Sequence, residues 1–406
     1  MRFGIILLAF VFGCITTAFI RVYPHNASAS DTETETVAES EFELTPTAQK
    51  QVPQTLDVVE EPFGETADGK SVKKFVCSNS NGYILEMIDY GASITALRVP
   101  SADNSGEAVN VVLSCSDMAS YEACTSYFGS TIGRYSNRIA KGKFSIDGKD
   151  YQVPTNTPPN CLHGGTTGFD KLMWTGETIK NQNSVGVRFA LTSPDGDQGF
   201  PGEVVATAEY TLDNENQLKM VFSATSDATT HVNMCNHAYW NLAGAGSGSV
   251  MPHLLHMPCE EVLEFDDTDI PTGKMLPTKQ DPFFDFTSER TIDEGIKALP
   301  EGATGYDHCY VVKRDSANEL ALLGSVRDPL SGRKMTVYTT QPGFQFYTSN
   351  HFNGQPQSGG FELFGAVCFE TQGYPDTPNR PEFPTTLLKP GQKMVQTTVH
   401  KFSYEN

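Results

Sequence analysis

Four stretches of this 406-residue sequence hold polar and aromatic residues in runs that hydrophobic patterning alone would not produce. They are Gly133-Arg134-Tyr135-Ser136-Asn137-Arg138-Ile139, Asn160-Cys161-Leu162-His163-Gly164-Gly165, Asn236-His237-Ala238-Tyr239-Trp240-Asn241-Leu242 and Glu370-Thr371-Gln372-Gly373-Tyr374-Pro375-Asp376. A sugar needs that mixture: Asn, Arg, Asp and His hydrogen-bond its hydroxyls, while an aromatic ring supports its apolar face. Any one of these residues alone reads as a satisfied structural group, and their joint occurrence is what points to a small-molecule sugar partner. Other chemistries are less well served. Gly244-Ala245-Gly246-Ser247-Gly248 is not G-x-G-x-x-G and opens no visible helix, so it reads as a turn. His163-Gly164-Gly165 has the look of a lipase oxyanion loop, but no G-x-S-x-G accompanies it. His253 and His256 have neither an H-E-x-x-H pattern nor a nearby cysteine pair, so no metal site is expected there.

The elements that must position these residues are strands. In Lys143–Val153 an Asp147-Gly148 dipeptide sits between two short alternating runs, a hairpin signal. Val204, Ala206, Ala208, Tyr210 and Leu212 share one face of a second run, and Leu218, Met220, Phe222 and Ala224 share one face of the next. Further runs lie at Tyr83–Asp89, Ile94–Val99, Val185–Thr192, Met335–Thr340, Ala366–Phe369 and Met394–Phe402. No amphipathic helix of three turns and no internal repeat shows itself. Many strands, frequent turns and no β-α alternation predict an all-β sandwich or barrel.

With 29 Lys+Arg against 49 Asp+Glu, the net charge is −20, which excludes a nucleic-acid or anionic-membrane binder. Nine cysteines are too few for a disulfide scaffold, and their number is odd. Cys115 and Cys124 are the only close pair, so a bridge between them is one option. Phe3–Ile20 is an uncharged apolar run flanked by Arg2 and Arg21, which fits either a cleaved export signal or a membrane tether. Both place the rest outside the cytosol, as a secreted, periplasmic or lumenal, or membrane-anchored protein. Residues 1–30 are therefore assigned to a signal or anchor. Residues 31–65 are assigned to an acidic disordered linker with hardly any large apolar residue, and 66–406 to the folded domain.

From about residue 70 to the C-terminus, the motifs fall in the order and spacing of one family. Besides the four stretches above they include Gly168–Trp174, Ser193–Glu203, Gly305-Tyr306-Asp307-His308, Tyr338-Thr339-Thr340-Gln341-Pro342-Gly343, Cys368–Gln372, Asn379–Pro384 and Leu388–Gly391. The chain resembles the aldose 1-epimerases, the galactose mutarotase family. The resemblance implies a large antiparallel β-sandwich, the mutarotase-like supersandwich, with an open carbohydrate cleft. It implies interconversion of the α and β anomers of free aldohexoses such as glucose and galactose, with no metal and no cofactor. By similarity Glu370 is the general base for the C1 hydroxyl and His237 the general acid for the ring oxygen. Asn137, Arg138, His163, Asp307 and Gln341 match substrate-binding positions, and His163 is placed to support developing charge.

Acid/base chemistry of this kind contributes about 10²–10⁴-fold in rate. It is expected here to rest on a Glu370 pKa raised by burial and a His237 that stays protonated long enough to donate. Trp240, where Phe is usual, and Cys161 depart from the pattern and bear on sugar preference. His231 and His308 are read as structural. Two other readings stay open: a sugar-phosphate 1-epimerase, and a non-catalytic carbohydrate-binding protein on the same fold. Preferred hexose and oligomeric state are left open.

Overall fold

The structure, a computed structural model, describes residues 55–102, 106–299 and 304–405. The apolar run at residues 3–20 and the acidic segment up to residue 54 lie outside the described residues.

Local chemistry sets the strand pattern. Asp147 and Gly148 both take positive φ, 50° and 79°, and join strands Lys143–Ile146 and Lys149–Gln152 in a two-residue turn whose twist suits an antiparallel hairpin. The alternation from Val204 to Leu212 becomes a strand, Val204–Asp213, whose five predicted inward residues are all fully buried. It pairs antiparallel with Gln217–Ser226, whose Leu218, Met220, Phe222 and Ala224 face the same core. Each large apolar side chain buried this way contributes about 1.5–3 kcal/mol.

Among the described residues, these two strands sit in a nine-stranded sheet, accompanied by two five-stranded sheets and several two-stranded pairs. All the sheet pairings are antiparallel, and one core of residues such as Phe75, Phe189, Tyr210, Phe222 and Trp240 spans the sheets. The only α-helices among the described residues are Met118–Ala123 and Ile292–Ile296, in line with the lack of a three-turn amphipathic pattern.

One boundary differs from the sequence reading. Asp57–Glu65, assigned to the disordered linker, is the first strand of a five-stranded sheet and pairs with Ser71–Ser78. Its inclusion rests on the backbone ladder, on Phe63 packing against Tyr121 at 5.9 Å, and on the ion pairs Lys73–Glu60 and Lys74–Glu61 at 2.9 and 2.8 Å. Exposed pairs of this kind contribute at most about 1 kcal/mol each. Composition misjudged the segment because its partners, not its own apolar content, order it.

The five-stranded sheet that carries Glu370 shows how alternation builds a site. Strands Asp307–Val311, Gly343–Tyr347 and Cys368–Gln372 lie side by side, with Cys309 opposite Gln345 and Gln345 opposite Glu370. Because successive side chains leave opposite faces, Tyr310, Phe344, Phe346 and Phe369 enter the aromatic core. Asp307, Gln345, Tyr347, Cys368 and Glu370 share the other face. The eight described cysteines are all free thiols, so Cys115 and Cys124 are not bridged.

Candidate active site

The polar face of that sheet forms the floor of a cleft of about 410 Å³, of a size that holds a small molecule. Asn137, Arg138, His163, His237, Asp307 and Glu370 line it, joined by the aromatic side chains Tyr127, Tyr347 and Phe352. Six of the seven sequence-assigned residues are thus brought together.

Gln341 is the exception. It stands in the loop before Gly343–Tyr347, half-buried, with its amide donating to Thr339 Oγ1, and it does not line the cleft. The glutamine beside the cleft residues is Gln345, four residues further along the chain and within the strand, whose Nε2 donates to Asp307 Oδ1 at 2.6 Å. Its buried Oε1 has no protein partner, so one acceptor remains beside the cleft residues. The four-residue offset carries the glutamine off the loop and into register with Glu370.

Histidine placement is fixed by the backbone. Asn137 and His163 hold left-handed conformations at φ 60° and 51°, and each binds the other: His163 N–H donates to Asn137 O at 3.0 Å, and Asn137 N–H donates to His163 Nδ1 at 3.2 Å. Such conformations cost about 1–3 kcal/mol apiece and persist where the surroundings over-determine them. Gly164, at φ +87°, permits the turn, since a Cβ there would lie 2.1 Å from Gly133 O. Because Nδ1 of His163 accepts a backbone amide, its ring hydrogen resides on Nε2. His237 is held by its own amide donating to Ser130 O and its carbonyl accepting from Gly129 N–H. Tyr127 stacks on its ring at 5.7 Å, and Tyr239 lies 5.0 Å away.

His237 Nε2 lies 3.5 Å from Glu370 Oε1, and both side chains are almost wholly buried. Burial penalises charge on each, so the Glu370 carboxyl is pushed up to about 8, with Asp307 adding to the rise and Cys235 and Arg138 opposing it. The same burial pulls the His237 imidazole down to about 4. The expected rise at Glu370 is present, whereas His237 rests neutral and becomes imidazolium only by taking a proton: desolvation outweighs the Asp307 carboxylate and the bond to its own backbone. In the free site, one proton therefore resides on the pair, on Glu370, from about pH 4 to about pH 8. His163 is likewise held well below the usual imidazole range by burial, His237 and Arg138, and stays neutral.

Among the described residues, Arg138 is the one permanent cation lining the cleft, and it is already engaged. It pairs with Asp269 at 2.9 Å and lies 3.8 Å from Asp307. His163, His237 and Glu370 each place a potential ligand atom within 4.8 Å of the others, a separation that a divalent cation could bridge. The Asn137 amide argues against that use, because it leaves a hydrogen, not a lone pair, on His163 Nε2.

Several other residues prove structural. Arg134 donates to the carbonyls of Ser193, Pro194, Pro201 and Gly202 and pins that loop. His231 Nδ1 meets Thr386 Oγ1, and His253 Nε2 accepts the Leu242 amide. His308 packs among Phe283, Phe284 and Tyr306 on the strand Asp307–Val311. Trp240 packs against His400 and Phe402 in the core, and neither it nor Cys161 lines the cleft.

The comparisons with known proteins agree with this geometry. The sequence profile of the family described as aldose 1-epimerase matches residues 73–401. The galactose mutarotase of Mus musculus is 39% identical over 352 residues, covering 86% of this chain and 99% of its own length. The aldose 1-epimerase of Escherichia coli K12 is 35% identical over 346 residues, covering 83% and 97%. A solved aldose epimerase homologue from C. elegans superposes with a TM-score of 0.72 at 29% identity, over 81% of this chain and 98% of that one. The galactose 1-epimerase structure from Lactobacillus acidophilus shares the fold at a TM-score of 0.76 and 24% identity, over 87% and 100%. A mutarotase-like β-sandwich, a profile match over most of the sequence and relatives aligned end to end converge on one conclusion: this chain belongs to the aldose 1-epimerase family.

Proposed function

We infer that this protein interconverts the α and β anomers of aldoses, as an isomerase that opens and recloses the sugar ring. The observation that carries the mechanism is the buried His237–Glu370 contact at 3.5 Å in a cleft lined by hydroxyl-binding and aromatic groups. Opening the ring removes the proton from the C1 hydroxyl, breaks the C1–O5 bond and delivers a proton to O5. Glu370 as carboxylate takes the first proton and His237 as imidazolium gives the second. That charged arrangement holds the same single proton as the resting pair, reached by transfer from Glu370 to His237. After rotation about C1–C2 the roles reverse: Glu370 returns a proton to O1, while His237 takes the one on O5. Asn137, Arg138, His163 and Asp307 bind the sugar hydroxyls, and His163 Nε2–H supports charge developing on the oxygen.

The cleft favours neutral sugars. Arg138 already faces two carboxylates, so among the described residues no unpaired permanent cation lines the cleft to receive a phosphate, which speaks against the sugar-phosphate reading. Polarimetry of freshly dissolved α-D-glucose and α-D-galactose tests the function: acceleration over the spontaneous rate supports it. Sugar binding without acceleration would instead favour a binding protein.

The two glutamines give a further test. Gln345→Ala frees Asp307 and is expected to raise KM about fivefold to tenfold with a smaller change in kcat. Gln341→Ala, remote from the cleft, should leave both within about twofold. The reverse ranking, read from the same polarimetric kinetics, would return Gln341 to the site.

No helix among the described residues is long and apolar enough to cross a membrane. The apolar run at residues 3–20 supports export from the cytosol, by cleaved signal or by tether. Full-length protein found in the cytosol on fractionation would contradict this.

A further inference from the structure

Each member of the acid/base pair has a cysteine two residues before it: Cys235-Asn236-His237 and Cys368-Phe369-Glu370. In extended chain, residues two apart share a face, so both thiols lie on the side of their catalytic neighbour. The contacts then cross over. Cys235 Sγ lies 3.8 Å from Glu370 Oε2, and Cys368 Sγ lies 3.7 Å from His237 Nδ1. Both thiols are fully buried, and neither lines the cleft. We propose that Cys235 and Cys368 are positioning residues for ring opening, holding Glu370 and His237 by reciprocal thiol hydrogen bonds while the proton moves between them. The proposal rests on the epimerase reading above.

A thiol suits this task because it is both a weak donor and a weak acceptor. When His237 is neutral, its Nδ1–H donates to the Cys368 sulfur and leaves a lone pair on Nε2, the atom facing Glu370, to take the proton that Glu370 gives up. When His237 becomes imidazolium, Nδ1–H donates to the same sulfur. Cys235 S–H donates to the Glu370 carboxylate and stays in van der Waals contact when that group is protonated. Both thiols resist ionisation, because burial and the nearby Glu370 carboxyl drive them well above the ordinary thiol range, so they remain neutral partners.

The other groups facing the pair are Asp307, Arg138 and the Cys309 thiol towards Glu370, and His163, Tyr127, Tyr239 and Tyr347 around His237. None of these occupies Glu370 Oε2 or His237 Nδ1 in a side-chain hydrogen bond among the described residues. Loss of Cys235 therefore removes a donor that favours the carboxylate, which makes Glu370 hold its proton to higher pH. Loss of Cys368 releases the Nδ1/Nε2 preference of His237.

The test compares the unaltered full chain with Cys235→Ala, Cys368→Ala, Cys235→Ser and Cys368→Ser. The alanine variants are expected to lose about tenfold in kcat at pH 7 with KM within about twofold. Cys235→Ala should also move the alkaline limb of the pH–rate profile to higher pH. The serine variants, which keep a donor and acceptor, should recover the rate to within about threefold and return the limb. Thermal melts identify any variant that loses activity by unfolding.

A second readout does not depend on turnover: histidine ring ¹⁵N shifts report the tautomer of His237, expected to change in Cys368→Ala and not in Cys368→Ser. Alanine variants that keep rate, limb and tautomer, or serine variants as impaired as alanine, would overturn the proposal. An unaltered protein with no mutarotation would instead defeat the epimerase reading, with the ¹⁵N comparison still deciding whether Cys368 sets the tautomer.

Discussion

Glu370→Gln is expected to lower mutarotation by about 10³–10⁴-fold, near the full contribution of a positioned acid/base group. The substitution is nearly isosteric, so it keeps side-chain volume beside Cys235 and the strand pairing with Gln345. It removes only the ability to take and return a proton. The sugar binding proposed for Asn137, Arg138, His163 and Asp307 should survive, leaving KM within a few-fold while kcat collapses. His237→Asn should lose about 10²–10³-fold, because water or a sugar hydroxyl can deliver a proton to the ring oxygen less effectively than imidazolium. The two residues share one proton, so the double variant should fall little below Glu370→Gln alone. Polarimetric kcat and KM for the three variants check this. A Glu370→Gln enzyme with a tenth or more of the original rate would remove that residue from the chemistry.

Arg138→Met is expected to cost about 100-fold in kcat/KM, and the sign of its pH effect follows from the surrounding charges. Arg138 is the cation that holds the Glu370 carboxyl down, against burial and Asp307, which push it up to about 8. Removing the cation leaves Asp307 and Asp269 without their shared partner and makes ionisation of Glu370 harder still. The alkaline limb of the profile must therefore move to higher pH while the plateau falls, because the reactive carboxylate–imidazolium arrangement becomes rarer. Arg138→Lys keeps a charge but not the planar fork that meets two carboxylates, so it should recover the limb more fully than the rate. A plateau loss with no movement of the limb would show that Arg138 acts on the sugar alone.

Much of this site was legible before any coordinates, for definite reasons. His237, Glu370, Asn137, Arg138 and His163 lie in runs whose polar and aromatic content no strand pattern requires, and Asp307 was reached through the family resemblance. The strands of the surrounding framework announced themselves by period-two alternation, most clearly at Val204–Leu212.

The misses are equally specific. Gln341 rests on the family resemblance alone, whereas alternation in Gly343–Tyr347 sends Gln345 and Tyr347 to the polar face and Phe344 and Phe346 to the core. Extending that pattern would have found both residues. Tyr127 carries no periodic signal, since it sits at positive φ between the short helix and Gly129. The strand Asp57–Glu65 is ordered by pairing with distant residues, which composition does not record. The charge state of His237 depended on how deeply the fold buries it, and one dimension does not contain that depth.

The measurement that tests the account most directly is the pH dependence of kcat/KM for α-D-galactose, followed by polarimetry from about pH 4 to pH 9.5 with the spontaneous rate subtracted. Below about pH 4 both members of the pair are protonated, and above about pH 8 neither is. The account predicts a plateau between about pH 5 and pH 7, a fall as pH rises through about 8, and loss of that alkaline limb in Glu370→Gln. A rate that climbs through pH 8, or an alkaline limb that survives in Glu370→Gln, would contradict the claim that one proton shared by His237 and Glu370 opens the ring.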